Sequence, residues 1–283
     1  VLFSSKNLSI TYKKGKPMKK IVMFCLFAAL TSLTIQTSSA QALRFGAAKK
    51  LQTTTNFTTI VDNLTMECWV RWNGTPGGIR LLVYNGDPST SGYGYYINTN
   101  TAQIHFLAGG VIDVGTGYNL PVNIWTHLAL RRTAGTWHLI VNGVQQGWTA
   151  GNAPNVPGAP GATVGIDFPG DIDELRVWNI ALPTATILNN FQQAANSSHP
   201  NFANLVAYYP MNEGTGQTTA DAIGGNTMTL GATNAVGADD PTWIADSSPI
   251  TVPTLGEWAM IIFAVLLVGT AWYKMREKQA LTA

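Results

Sequence analysis

Gly170-Asp171-Ile172-Asp173-Glu174-Leu175-Arg176-Val177-Trp178-Asn179 decides how this chain is read. Leu175 and Val177 alternate with Glu174 and Arg176, the period-two pattern of a strand with one buried face. The strand runs into a short connection, Ile180-Ala181-Leu182-Pro183, and then a helical segment from Thr184 to Phe191.

Upstream, Asn63 to Trp72 repeats the pattern over a longer stretch. Leu64, Met66, Cys68, Val70 and Trp72 fall on one face, and Thr65, Glu67, Trp69 and Arg71 on the other. Strict alternation of this length predicts a strand. Shorter strands follow over Ile79–Tyr84, Gly94–Asn98 and Gln103–Leu107, separated by loops rich in Gly, Asn, Asp and Ser. Trp125–Leu130 and Trp137–Val141 come next, and Asn142-Gly143 supplies the positive-φ pair of a tight hairpin before Val144–Trp148. Gly151–Gly161 is a Pro/Gly loop, and Ala162–Ile166 leads back to the opening strand. Beyond the helical segment, Leu205–Tyr209 and Met228–Leu230 read as the last strands.

Several of these words resemble those of laminin-G-like, concanavalin-A-like lectin/glucanase domains. They include Ala42-Leu43-Arg44-Phe45, Glu67-Cys68-Trp69-Val70, the Trp125-Thr126-His127-Leu128-Ala129 strand and Trp137-His138-Leu139-Ile140-Val141-Asn142-Gly143. The Gly170–Leu182 stretch and Leu205-Val206-Ala207-Tyr208-Tyr209-Pro210-Met211-Asn212-Glu213-Gly214 complete the set. The resemblance spans about Ala42 to Trp243. It implies an all-β fold, an antiparallel jelly-roll β-sandwich over residues 43–246.

Composition agrees, because only 11% of the 283 residues are charged. The net charge of +2 hides a segregation, since eight basic and thirteen acidic residues lie between positions 41 and 250. A body negative by five lacks the clustered basic surface that nucleic acid requires. Cys68 shares a face with Met66 and Val70 and reads as a small buried hydrophobe.

The ends carry addresses. Residues 1–42 form an extension and a signal peptide, with Lys19-Lys20, the apolar run Ile21–Leu30 and small residues allowing cleavage after Ala40 or Ala42. Residues 247–257 form a spacer with the word Pro253-Thr254-Leu255 and Trp258 just beyond it. Residues 258–273 form an apolar helix, and 274–283 a basic tail. This tripartite order resembles the bacterial IPTL-type C-terminal sorting signal. The resemblance implies export to the bacterial envelope, a single C-terminal transmembrane helix and a processing protease as partner. The apolar run is shorter than the ~20 residues of an ordinary span, but Trp258, Trp272 and Tyr273 provide interface anchors.

Chemistry is sparse. No nucleophile elbow, zinc-binding word or phosphate loop is present. Glycosidases on this scaffold need two carboxylates facing one cleft. Asp171 and Asp173 share a face by strict alternation, whereas Glu174 points away and Leu175 takes the next position, so the array is incomplete. His105, His127, His138 and His199 show no metal-ligand spacing. Calcium is the cofactor that the resemblance implies, with Asp87, Asp113, Asp167 and Asp171, in loops or at strand ends, as candidate ligands. Tyr93, Tyr95, Tyr96 and Trp148 are candidates for a sugar-stacking platform, while Trp69, Trp125, Trp137 and Trp178 read as core. The expected function is an exported, non-catalytic module recognising carbohydrate, matrix or a surface protein. A glycan-active hydrolase or a purely structural biofilm component are the alternatives.

Overall fold

The computed structural model describes residues 41–245, 248–250, 265–267 and 269–270. The chain divides into two units. One, Ser39–Pro253, holds the described strands, and the other includes 265–267 and 269–270, which are helical. Ala40, the sorting word with Trp258, and most of the apolar run fall outside the described residues. No helix among the described residues is long and apolar enough to cross a membrane.

In chain order the strands are β1 (Ala42–Arg44), β2 (Leu51–Gln52), β3 (Leu64–Trp72), β4 (Ile79–Asn85), β5 (Tyr93–Asn98), β6 (Gln103–Ala108) and β7 (Ile112–Asn119). Then come β8 (Thr126–Thr133), β9 (Thr136–Val141), β10 (Val144–Ala150), β11 (Ala162–Val164) and β12 (Gly170–Trp178). Helix α1 (Thr184–Asn190) precedes β13 (Leu205–Tyr209), β14 (Thr218–Thr219), β15 (Met228–Leu230) and β16 (Thr242–Ile244). They form two antiparallel sheets. The first has the order β10-β9-β8-β3-β12-β1-β16, with β13 also on β12, and the second β14-β15-β2-β11-β4-β5-β6-β7. The inner faces meet in one core that includes Met66, Cys68, Val70, Phe106, Trp137 and Val177. The jelly-roll-like sandwich and its expected core strands are therefore present. The Asn142-Gly143 turn also forms, with Val141 paired to Val144 and both turn residues at positive φ.

The opening strand departs from simple alternation. Asp173 pairs with Trp69 and Arg176 with Glu67, so Glu174 and Leu175 together oppose Cys68. Glu174, at φ 55°, is the extra residue of a β-bulge. Ile172, Leu175 and Val177 consequently all enter the core. Asp171 and Asp173 share a face as expected, but it is the outer face, and Leu175 is not on it. The side chain of Glu174 also lies on the outer side, where its Oε2 accepts from Arg176 (2.8 Å) and from the Tyr208 hydroxyl (2.8 Å).

That outer face is buried in turn beneath the segment running from Asn179 through α1 to β13. Trp178, Leu182, Ile187, Leu205 and Tyr208 make a second apolar cluster there. The polar side chains beneath it satisfy the covering backbone, which would otherwise lose its hydrogen bonds to water. Thr65 Oγ1 donates to Ile180 O and accepts from Leu182 N, Trp69 Nε1 donates to Phe191 O, and Arg176 Nη2 donates to Gln193 O. Glu67 accepts from Trp178 Nε1 at 3.0 Å and lies 3.5 Å from His127 Nε2 and 3.7 Å from Arg176 Nη1. Burial alone would raise the Glu67 pKa, but His127, Arg176 and Trp178 together hold it below the ordinary value.

Asp173 behaves oppositely. Burial, with the neighbouring Glu174 charge second, lifts its carboxyl from 3.8 to about 8, despite hydrogen bonds from Ser248 N and Glu174 N. Below about pH 4 this group is protonated in folded and unfolded chains alike, and its contribution to stability is complete. At higher pH the unfolded chain releases the proton first, so the contribution declines and is lost as pH passes 8. Chemical denaturation at pH 5 and pH 9 should show the wild type losing on the order of a few kcal/mol between them. Asp173→Asn should flatten most of that difference. An equal pH dependence in the two proteins would contradict the burial of this carboxyl.

Candidate functional site

Among the described residues, two openings on the sandwich surface stand out. The first, of about 510 Å³, is lined by Arg44, Arg71, Asn73, Asn123 and Asp171 among others. Its charged side chains come from directly opposed residues of three adjacent strands. Arg44 of β1 faces Asp171 of β12, which in turn faces Arg71 of β3. Asp171 accepts from Arg44 Nε at 2.8 Å and from Arg71 Nη2 at 2.7 Å, while Arg71 also rests 4.9 Å over the Trp125 ring. This row clamps three strands. It also explains why Asp171, with its side chain only 5% exposed, is built to hold guanidinium groups rather than a metal ion.

The second opening, of about 500 Å³, is lined by Gly115, Thr116, Gly117 and Tyr118 of β7 and Gln146, Gly147 and Trp148 of β10. These are the edge strands of the two sheets, and both are bulged there. On β7, residues 116–118 oppose Ile104 alone, because Gln103 pairs with Asn119 and His105 with Gly115. On β10, residues 146–148 oppose Leu139 alone, because Ile140 pairs with Gln145 and His138 with Thr149. Bulges re-aim side chains and interrupt the ladder at sheet edges. Here they turn Trp148 over the joint between the sheets, half-buried and braced on Phe106 with ring centroids 5.7 Å apart. Its indole N–H has no hydrogen-bond partner among the described residues. Gly117 and Gly147 have nothing within 4 Å of where a Cβ would stand, so this wall is open to close approach. Tyr118 completes the wall, and partial burial raises its pKa, with an opposing hydrogen bond to Thr126.

The other expected site residues lie elsewhere. Tyr93 and Tyr95 are core residues, 0% and 1% exposed, and offer no face to a sugar. Tyr93 packs on Trp137, and the Tyr95 hydroxyl meets Cys68 Sγ at 3.1 Å. Tyr96 points to the opposite side of its sheet, yet it too is buried (3%), donating to both oxygens of Asp113 and stacking on His105. Asp113 sits near the start of β7. Asp87 Oδ1 accepts from Ser89 N within its own turn, and Asp167 Oδ1 accepts from Ala48 N, tying its loop to the turn after β1. No group of three His, Cys, Asp or Glu side chains converges as a metal cage among the described residues. The carboxylates that do gather, Glu67, Asp173 and Glu174, are 2%, 2% and 7% exposed beneath the covering segment, away from both openings.

Comparison with known proteins follows this geometry. The family model of the concanavalin A-like lectin/glucanases superfamily matches residues 45–188. No curated protein matches the chain in sequence. Among solved structures, a candidate carbohydrate-binding protein from Bacteroides ovatus is 19% identical with a TM-score of 0.55. The alignment covers 72% of this chain and 61% of that protein, so the chain accounts for less than two thirds of its length. Domain 4 of AbnA, an extracellular arabinanase from Geobacillus stearothermophilus solved with arabinotriose, is 21% identical (TM-score 0.41, covering 52% of this chain and 75% of the domain). A SAP-like pentraxin from Limulus polyphemus is 14% identical (TM-score 0.42, covering 70% and 99%). The likeness to the Bacteroides ovatus protein concerns the fold, and it agrees with the family match over half the chain: this protein belongs to the concanavalin A-like lectin/glucanase superfamily.

Proposed function

We propose that this chain is a non-catalytic carbohydrate-recognition domain of the cell envelope that binds a sugar in the groove between β7 and β10. The observation that carries the reading is Trp148. A half-buried indole, braced from behind and set beside glycine backbone, offers what a pyranose needs: an aromatic face for its C–H groups and polar edges for its hydroxyls. Edge strands also present backbone donors and acceptors that no neighbouring strand takes up. The Bacteroides ovatus protein, described as a candidate carbohydrate binder, supports the same class of ligand.

A hydrolase on this scaffold would need two carboxylates roughly 5–5.5 Å apart across an open cleft. Neither opening contains a pair of carboxylates, and the acids that gather are sealed under protein. The non-catalytic reading is favoured on that geometry.

The ends complete the proposal. Cleavage after Ala40 preserves β1, whereas cleavage after Ala42 would remove a fully buried residue paired with Ile244. N-terminal sequencing of the exported protein should therefore begin at Gln41. A start at Leu43, or an intact N-terminus, would contradict this. The tail would anchor the domain until a protease recognising Pro253, Thr254, Leu255 and Trp258 acts. Changing Pro253 and Thr254 to Ala should leave an uncleaved, membrane-bound form in the native host. Identical size and fractionation of mutant and wild type would leave only a plain anchor.

The sugar reading is tested by glycan array with the full chain, followed by calorimetry on the best ligand. Trp148→Ala should weaken binding about tenfold or more with an unchanged circular dichroism spectrum, and Trp148→Phe should retain much of the affinity. Undiminished binding by Trp148→Ala, or no glycan bound by the wild type, would overturn the proposal.

A further inference from the structure

One end of the sandwich carries an apolar fringe that sugar recognition does not use. In the antiparallel registers β3, β5, β7, β11 and β15 finish at this end, and β4, β6, β8, β12 and β16 start from it. The loops 45–50, 73–78, 99–102, 120–125, 165–169 and 231–241 therefore gather here. Ile79, Val122, Ile124 and Val236 stand on this end, 59%, 48%, 57% and 87% exposed. Ala232, Ala235 and Ala238 around Val236 are exposed too.

The fringe is fixed in place by the strand ends beneath it. Asn123 N donates to Trp72 O, and the Val122 side chain lies against Gly74, where a Cβ would come within 2.8 Å of it. Trp125 follows, half-buried, with the Arg71 guanidinium 4.9 Å over its ring. Basic residues stand behind the tips. Arg44, Arg71 and Arg80 lie on the adjoining strand ends, and Lys49 and Lys50 in the loop before β2. The acids of these loops and strand ends are Asp167, Asp171, Asp239 and Asp240, each accepting a hydrogen bond from a neighbouring group. Bases thus outnumber acids here, although the body between positions 41 and 250 is negative by five.

We infer that this end of the sandwich docks on the headgroup region of an anionic lipid bilayer. The four tips project from separate loops and line neither opening, so they suit a plane rather than a pocketed ligand. Apolar tips entering the interface, a tryptophan at their base and cations level with the phosphates are the layers that such a surface selects. The sequence brings lipid within reach. Seven residues, 251–257, separate Ile250 from the apolar run at Trp258, a tether of at most about 25 Å. That last point rests on the proposed tail anchor, whereas the tips and charges do not.

The test needs no glycan, and vesicles are supplied, so its outcome stands apart from both the sugar reading and the tail. The full chain in a Cys25→Ser background, with Cys68 buried, is labelled with a polarity-sensitive fluorophore at Ile124→Cys, Val236→Cys or Val156→Cys. Val156 lies in the loop between β10 and β11, at the opposite end, and is equally exposed. On phosphatidylcholine vesicles containing phosphatidylglycerol, the labels at 124 and 236 should shift to the blue and be quenched by brominated lipid. The label at 156 should not. High salt, or the pair Lys50→Glu and Arg80→Glu, should weaken the response severalfold. No shift at 124 and 236, an equal shift on phosphatidylcholine alone, or an equal shift at 156 would each overturn the inference. A shift without vesicles that grows with protein concentration would also overturn it, assigning the fringe to a second copy of the chain.

Discussion

One residue too many in β12 governs the architecture. Glu174 occupies a left-handed conformation that costs a non-glycine residue on the order of 1 kcal/mol or more. The conformation persists because its surroundings over-determine it. Its carboxylate is held by Arg176 and Tyr208, while Ile172 on one side of the bulge and Leu175 on the other are both fixed in the core. Without the extra residue, the two ends of the strand would present opposite faces to the second sheet. With it, β12 pairs with β3 on both sides of the bulge and shares its other edge between β1 and β13.

The same bulge explains how this sandwich comes to bury its acids. It brings Asp173, Glu174 and Arg176 to one side, beside Glu67 on β3, and the covering segment closes over them. Their oxygens and nitrogens are spent on the backbone of that segment and on one another. Under the proposed function, recognition falls to the perimeter, where edge strands remain in contact with water. The bulges of β7 and β10 are the perimeter's counterpart to the bulge of β12. There an interrupted ladder opens a groove instead of closing a core.

Much of this was legible in the residues. The alternation from Leu64 to Trp72, the Asn142-Gly143 turn and the paired Trp-containing strands carry their own physical signatures. Others do not. Tyr93-Gly94-Tyr95-Tyr96 has aromatics on both faces of a strand that is buried on both, so composition suggested an exposed platform where packing consumed every ring. The β7 strand was hidden by Gly115, Gly117 and Asp113, which read as loop. The bulge at Glu174 lacked the glycine that normally announces one, and only the register reveals it. Trp148 was visible as a candidate, but its partners Tyr118 and Gln146 required knowing which edges meet.

The central claim is that recognition occurs at the joint of β7 and β10, and the nine tryptophans can report on it directly. Their indole N–H signals, assigned by single Trp→Phe variants, can be followed by NMR as the full chain is titrated with an array-selected oligosaccharide. The Trp148 resonance should move to saturation while those of Trp137 and Trp178, buried in the two apolar clusters, stay in place. A response confined to Trp125, beside Arg71 in the other opening, would contradict the account and move the site to the Arg44–Asp171–Arg71 row.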